Sequence, residues 1–574
     1  MLATALKHRA AVLPLLTVAW VVGAWDAAFP PWLSAGTTLL AMGLALPALR
    51  RRPLPAPGWW FAGLLIWAAA DAVLRPVASF DAGRCIAMGV TALLLGVAAS
   101  TPRGAVWGRA AIVAAGLITA GWLVVERLTI AGRPGGPFAN PNLGATLALL
   151  ALALVPFLPL PTAPRVAAAG IAVAGIVASG SRGALLGVCA VAAVWVAARG
   201  VARLRRLAFV VVLLAAVGLA LRLAIDRDPL RFERLRIWGV ATRTVAAELP
   251  LGCGPGGYAD AALPHNFPLA SSFARYARIP DLAESDLFEV LATLGVPGAA
   301  LLFGLITSVA RRLVKSDDRG WGVVAAIAVT SLFSSQLIVP AVAWSAALAL
   351  ATVLPRRRRT IPRQRWPLLA TVGMAVAVAT AAVLASPDWG AGEAPDRLVD
   401  RSVAALRGAG ADDARMADAE ALLLRAGASR PRYGRVWRDL GALRLERARV
   451  RHERDLAVAA AAAFESARKL NTGDVWAAFG DGQALRLLGN GEGAQAAFKN
   501  ALTLEPNFLG AWLELAALHV EKGELGAARV ALERLASAQA KARGAVFVSE
   551  YERALVRVDP QVLGQLRRVL GALP

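Results

Sequence analysis

Apolar runs long enough to cross a bilayer recur along this 574-residue chain, near residues 11–28, 32–49, 58–74, 85–99, 106–125, 142–160, 166–179, 183–198, 207–225, 286–308, 321–339, 341–355 and 367–386. A hydrocarbon core about 30 Å thick takes about 20 residues of helix, and a helix inside it satisfies its own backbone hydrogen bonds. The runs therefore predict an all-α fold: a polytopic bundle of about 12–13 spanning helices in residues 1–386. Several runs are short or split by proline. Composition supports the same reading, since a chain that is 57% hydrophobic and 18% charged carries more apolar surface than one soluble core can bury.

Basic residues outnumber acidic ones by 62 to 39, a net charge of +23, which in a soluble protein would suggest nucleic acid. Their placement argues otherwise. They collect in short loops at Arg50 to Arg52, Arg103 with Arg109, Arg165, the Arg199 to Arg206 cluster, Arg311 to Lys315 and Arg356 to Arg365. With a cytoplasmic N-terminus every one of these loops falls on the cytoplasmic side, as the positive-inside rule requires. Membrane lipid is thus the expected partner, with no nucleic acid. The loops at about 126–141 and 226–285, and everything after residue 386, are expected outside the cytoplasm, a side that is the periplasm if the cell is Gram-negative. Lys7, His8 and Arg9 precede a first spanning helix rather than a cleaved signal. Cys85, Cys189 and Cys253 lack metal-ligand spacing and form no disulfide framework.

After Asp388 the chain turns to Ala, Leu, Glu and Arg at helical spacing, with a period of 34 residues. Ala460, Ala494 and Ala528 follow it, as do Phe464, Phe498 and Leu532, and Gly489 and Gly523. That period, with Trp437-x-x-Leu440-Gly441, Trp512-x-x-Leu515-Ala516 and a closing Pro506, predicts a soluble α-solenoid of tetratricopeptide repeats over 387–574. Such arrays bind protein segments, so a protein partner is expected; the alternative is that a few repeats only cap the membrane domain.

The long outside loop holds Arg231, Arg234, Arg236 and Arg243, with Arg275 and Arg278 further on. A phosphate or diphosphate would offset arginine on that side, because the guanidinium fork matches phosphate oxygens. Equally, Asp226, Asp228, Glu233 and Glu248 supply counter-charges nearby. Two shorter segments on the same side, Gly132 to Asn142 and Ser179-Gly180-Ser181-Arg182-Gly183, each set an arginine among small turn-forming residues at a membrane boundary. Arg182, at a helix start, would add its charge to a positive helix end.

These strings, followed by Arg236-x-Trp238, by Pro250 to Gly256, and by Leu287 to Gly298 ending Leu294-Gly295-Val296-Pro297-Gly298, resemble in order and spacing the O-antigen ligase and polymerase superfamily over about 105–355. The resemblance implies a fold like that of the glycosyltransferase-C enzymes that use lipid-linked sugars. It implies transfer of a glycan from an undecaprenyl-diphosphate carrier to a glycan, lipid or protein acceptor at the periplasmic face, with no metal and no cofactor. Lipopolysaccharide biosynthesis is the nearest setting. Arg182 and Arg236 would hold the departing diphosphate, assisted by Arg133. Where the family's ligases place a histidine, this chain has Glu284 in Glu284-Ser285-Asp286. Glu284 is one candidate general base, and His265, in Pro264-His265-Asn266, is another. A polymerase that extends the carrier-linked glycan, or a non-catalytic scaffold for envelope-assembly proteins, remains an open alternative.

Overall fold

The computed structural model describes residues 12–14, 17, 31–49, 56–74, 79–130, 132–198, 233–269, 273–314, 320–355, 395–406, 412–547 and 549–571. It is all-helical among these residues. The chain divides into two compact units. The first comprises 1–228, 245–257 and 282–391, and the second comprises 229–244, 258–281 and 392–574. The second unit thus takes with it two stretches that lie, in sequence, within the long loop. The expected spans near 207–225 and 367–386 and most of 11–28 fall outside the described residues, as do Arg231, Asp226, Asp228 and the basic clusters at 50–52, 199–206 and 356–365.

Helices α1 (Pro31–Leu49), α2 (Ala56–Leu74), α3 (Ser79–Ala99), α4 (Pro102–Thr129), α5 (Pro141–Leu154), α6 (Thr162–Ser179) and α7 (Arg182–Ala198) open the described chain. The long loop supplies α8 (Glu233–Glu248) and α9 (Tyr258–Ala262), and α10 (Asp286–Leu313), α11 (Trp321–Phe333) and α12 (Pro340–Val353) complete the apolar set. By length and composition α4, α6 and α10 can each cross a membrane. Apolar residues on the outside of α4 and α10 are open to the surroundings: Leu128 is 81% exposed and Phe303 70%, the pattern of helices solvated by lipid.

With lipid outside, hydrophobic burial gains little between spanning helices, and close contact has to come from small residues. A Cβ on Gly116 of α4 would come within 2.4 Å of Ala151 in α5, and one on Gly175 of α6 within 2.4 Å of Ala120 in α4. Helix α5 lies at the centre of this packing, its residues from Leu143 to Leu154 all buried.

The expected apolar run at 321–339 is corrected by the structure: α11 stops at Phe333, and residues 334–339 form a non-helical link to α12. Hydropathy sees Leu337, Ile338 and Val339 and continues the helix. Pro340, at the first position of α12, starts a new one instead.

The second unit is built from α13 (Pro395–Leu406), α14 (Asp413–Ser429), α15 (Gly434–Arg451), α16 (Arg454–Leu470), α17 (Val475–Leu487), α18 (Gly491–Leu504), α19 (Leu509–Glu521), α20 (Leu525–Arg543), α21 (Glu550–Leu555) and α22 (Pro560–Leu570). The pairs α15–α16, α17–α18 and α19–α20 are the repeat hairpins. Ala460, Ala494 and Ala528 are fully buried on their second helices, and Phe464 and Phe498 are 2% and 0% exposed. A Cβ on Gly480 would meet the Phe464 ring at 2.3 Å, so the small residue at that position is what lets one hairpin seat on the last. The turns inside the second and third hairpins carry Gly489 and Gly523 at φ of 79° and 75°, a left-handed conformation glycine adopts without steric cost.

Candidate functional site

The candidate site lies at one end of the first unit, where four segments distant in sequence share one hydrogen-bonded network. The string from Gly132 to Asn142 is fixed at its base by α4: Gly136 N–H donates to Glu126 Oε2 at 2.8 Å, and Arg127 donates to the Gly132 carbonyl at 2.7 Å. Asn140 then caps α5 by accepting from Asn142 N–H at 2.9 Å, with Pro141 at the first helical position. Arg133, exposed to solvent, reaches from this string to the next: its Nε donates to the Ser179 carbonyl at 2.9 Å, and an Nη donates to Asn142 Oδ1 at 3.1 Å. Two of the arginine-bearing segments singled out in the sequence are thereby joined.

Arg182 opens α7. Ser181 before it is buried and its carbonyl accepts from Leu185 N–H, while Arg182 itself projects outward and makes no hydrogen bond or ion pair among the described residues. An exposed guanidinium at the N-terminus of a 17-residue helix combines a full charge with the partial positive charge of unpaired N–H groups. A Cβ on the adjacent Gly183 would contact Phe333 at 3.4 Å, which places the α7 start against the end of α11, where the 334–339 link begins.

That link is the part of the site hydropathy hides. Ser285 N–H donates to Ser335 Oγ at 3.1 Å, and Ser335 Oγ donates to Glu289 Oε2 at 3.3 Å. Leu337 N–H donates to Asp286 Oδ1 at 2.9 Å, and the Thr146 hydroxyl of α5 lies 2.6 Å from Gln336 Oε1. Ser285, Asp286, Ser335 and Gln336 are all buried. The sequence signal was available: Ser334-Ser335-Gln336 is a polar interruption in an apolar run, and a polar group buried at that depth requires partners.

Glu284 precedes this cluster with φ of 52°. Glutamate rarely takes the left-handed region, at a cost of about 1 kcal/mol or more, and such outliers concentrate at sites where the surroundings hold them for a reason. Here Ser285 is tied to Ser335 and Asp286 to Leu337 immediately after it, and Ala283 N–H donates to Glu289 Oε2 at 3.1 Å immediately before. The backbone is pinned on both sides, and the half-buried carboxylate is carried at the head of α10.

Helix α10 breaks below that head. Pro297 cannot donate to Thr293, and Gly295 takes φ of 61°. The carbonyls this frees are collected by other segments: Cys253 N–H donates to Ala292 at 2.7 Å, Gly254 N–H to Thr293 at 2.9 Å, and Trp67 Nε1 to Leu294 at 2.9 Å. Val296 N–H returns a bond to the Pro250 carbonyl at 2.8 Å. The Pro250 to Gly256 string is therefore the counterpart of the Gly-Val-Pro-Gly break. Asp71 of α2 is buried beside it, near Gly254.

Arg236 and His265 belong to the second unit. Arg236 donates to the Pro268 carbonyl at 3.2 Å and lies over the Phe267 ring, and Arg243 donates to the His265 carbonyl at 3.2 Å. The arginines of α8 are thus tied to the 265–268 segment through its carbonyl oxygens. Arg133 and the Arg182 turn are brought together in one unit with Glu284; Arg236 and His265 are brought together in the other.

Residues 167–303 match the family model described as O-antigen ligase, and residues 485–546 match that of the tetratricopeptide repeat. The first match contains Arg182, Arg236, His265 and Glu284 and begins after the Gly132 to Asn142 string. No curated protein matches the chain at a significant level. Among solved structures, the crystal structure of the yeast Tom70 is similar at 10% identity over 83% of this chain and 91% of that one, with a TM-score of 0.18, too low for its architecture to inform this one.

Proposed function

We propose that this chain, a membrane protein with an O-antigen ligase domain followed by tetratricopeptide repeats, transfers a glycan from an undecaprenyl-diphosphate carrier to an acceptor hydroxyl at the periplasmic face of a bacterial inner membrane. The observation that carries this reading is the ligase match over 167–303, together with the strained Glu284 and the exposed Arg182 at one end of the unit that holds them.

In this mechanism the acceptor oxygen attacks the anomeric carbon of the carrier-linked sugar. Its proton passes to the Glu284 carboxylate, and the bond from carbon to diphosphate oxygen breaks with its electron pair going to the diphosphate. Arg182, with Arg236 and Arg133, neutralises the charge that develops on the departing group, a stabilisation that grows along the reaction and so lowers the barrier. His265 is the alternative base. The acceptor is a glycan, a lipid or a protein hydroxyl.

The test is removal of the gene and inspection of the surface glycans, followed by transfer measured in membranes that carry variants at matched expression. Loss or shortening of one glycan, restored by the wild-type gene, supports the reading. Arg182→Lys separates bidentate grip from simple charge: insertion should be normal and transfer largely lost. Full transfer in that variant removes Arg182 from the diphosphate site, and full transfer without either Glu284 or His265 leaves a scaffold. Orientation is tested by reporters fused after residue 390, expected to be active outside the cytoplasm, and near Arg205, expected inside.

A further inference from the structure

The second unit contains an interaction that the repeat period does not require. The turns between successive hairpins have the same construction three times: Arg430 accepts from Tyr433 N–H at 3.0 Å, Asn471 from Asp474 at 3.1 Å, and Glu505 from Phe508 at 3.0 Å. Along one edge of the array these turns present Arg430, Asn471 and Glu505 at equivalent places. The stretches 258–269 and 273–281 run past all three.

At the first turn Arg430 grips Asp260 of α9 with both arms of its fork, Nε to Oδ2 at 2.6 Å and Nη2 to Oδ1 at 3.1 Å. The two side chains are 10% and 2% exposed, and the guanidinium stacks on Tyr433. At the second turn Asn471 caps Gly473 with its own side chain, and the neighbouring Thr472 donates to the Pro264 carbonyl at 3.1 Å. Tyr276 covers Gly473 so closely that a Cβ there would sit 2.5 Å from its ring. At the third turn the Glu505 carboxylate, fully buried, accepts the backbone N–H groups of Arg275 at 2.7 Å and Tyr276 at 2.6 Å. Asn507 donates to the Phe273 carbonyl at 2.8 Å, and Ala274 is buried among core residues of the array.

Most of this recognition is of backbone, the way an extended peptide ligand is held. A buried carboxylate that accepts two N–H groups is an expensive device unless the ligand is in place. We propose that the inter-hairpin edge of the repeat array is a clamp whose ligand is the chain's own long loop, and that Arg430 and Glu505 are positioning residues for the arm that carries Arg236 and His265. The arm is within reach of the clamp because α8 is tied to 265–268 through Arg236 and Arg243. The positioning part of this assignment rests on the glycan-transfer reading above; the clamp itself does not.

The experiment is amide hydrogen exchange on the full chain in nanodiscs, run beside glycan transfer. Glu505→Ala should speed exchange of 273–281, and Arg430→Ala that of 258–266, by about tenfold or more, the worth of losing one charged hydrogen-bonded contact. The helices at 434–521 should keep their protection. If Glu505→Ala also releases those helices, Glu505→Gln, which keeps the volume and one acceptor, takes its place and is read the same way. Unchanged exchange of 258–281 in both variants overturns the clamp. Transfer should fall about tenfold through kcat with little change in KM for the donor, and it should be partly recovered in Glu505→Gln. A released loop with undiminished transfer overturns the positioning role. Absence of transfer in the wild type counts against the glycosyltransferase reading alone, since exchange still decides the clamp.

Discussion

Both units contain helices that end inside packed structure and leave carbonyl groups behind, and they handle those ends in different ways. In the repeat unit several of these ends are closed locally, by an i to i+3 bond at Arg430, Asn471 and Glu505, by a left-handed glycine at 489 and 523, or by the left-handed His452. In the membrane unit the break in α10 is closed from far away, by Cys253, Gly254 and Trp67. Water can rescue a poorly capped helix at a protein surface, whereas nothing in the hydrocarbon region can. A soluble repeat can therefore copy one local solution many times, while a membrane helix that breaks for function requires a partner segment built for it. Among the described residues, left-handed backbone outside glycine is found at Ala139 and Glu284 in the membrane unit and at His452 in the repeat unit; only at Glu284 does it adjoin the buried network of Ser285, Asp286 and Ser335, and we propose that the chemistry takes place there.

The largest expected effect tests that assignment directly. Glu284→Gln keeps the size and the hydrogen-bonding capacity of the side chain and removes its proton affinity, so transfer should fall by about 10² to 10⁴, the usual contribution of a general base. Insertion and solubility should match the wild type. A variant that transfers normally would place the strain at Glu284 among structural features, and the contrast between the units would lose its functional half. In the repeat unit the corresponding change is one of packing. Phe498→Ala empties a fully buried position shared by α17, α18 and α19 and should cost about 3–5 kcal/mol. Exchange protection across 475–521 should drop, while that of α4, α5 and α10 stays as it was. Equal loosening of both units would show that they do not fold as separate cooperative bodies.

The same contrast explains what could be read from the amino-acid sequence. The repeats were legible because their contacts are local and recur: Ala460, Ala494 and Ala528 are buried at one place in three hairpins. Most apolar helices were legible to within a few residues, but α3 begins six residues before the expected 85, and α5 ends six before the expected 160 although Pro161 closes that run. The loss of helix at 334–339 was not, since Leu337 to Val339 satisfy hydropathy and only Ser335 and Gln336, buried against Ser285, Glu289 and Thr146, give the reason. On the family resemblance Arg133 was expected to assist in holding the diphosphate. Its bond to the Ser179 carbonyl, 46 residues away, has no signature in the sequence, and neither has the capture of 258–281 by the repeats.

A smaller effect sharpens the non-local side of the comparison. Ser335→Ala removes the acceptor of the Ser285 N–H and one donor to Glu289, leaving buried groups unpaired at a cost of about 1–3 kcal/mol. The heat-denaturation midpoint of the purified protein should fall, and Ser334→Ala, at a half-buried neighbour, should change it less. Equal effects from the two serines would mean that the link, and not its hydrogen bonds, holds the head of α10.

The smallest effect is one of pH in the repeat unit. Burial raises the carboxyl groups of Asp474, Asp481 and Glu505 above their usual range, in spite of Arg438 beside the first, Arg468 beside the second and the Arg275 and Tyr276 N–H groups on the third. A carboxyl that is raised in the folded protein binds its proton more tightly there than in the unfolded chain. Its contribution to stability is then present at pH below the unfolded values of 3.8 for aspartate and 4.5 for glutamate. It is lost as pH climbs through the higher folded values. The unfolding midpoint of the repeat unit, followed through Trp476 and Trp512, should accordingly decline as pH rises from the ordinary carboxylate range toward neutrality. Asp474 also caps α17 by accepting from Trp476 and Ala477 N–H at 3.1 and 3.0 Å, and asparagine is an equally good cap. Asp474→Asn should thus preserve the helix start and flatten the decline. A midpoint that rises over the same interval would mean that the arginine partners outweigh desolvation at these positions, and an unaltered slope in the variant would assign the decline to Asp481 and Glu505.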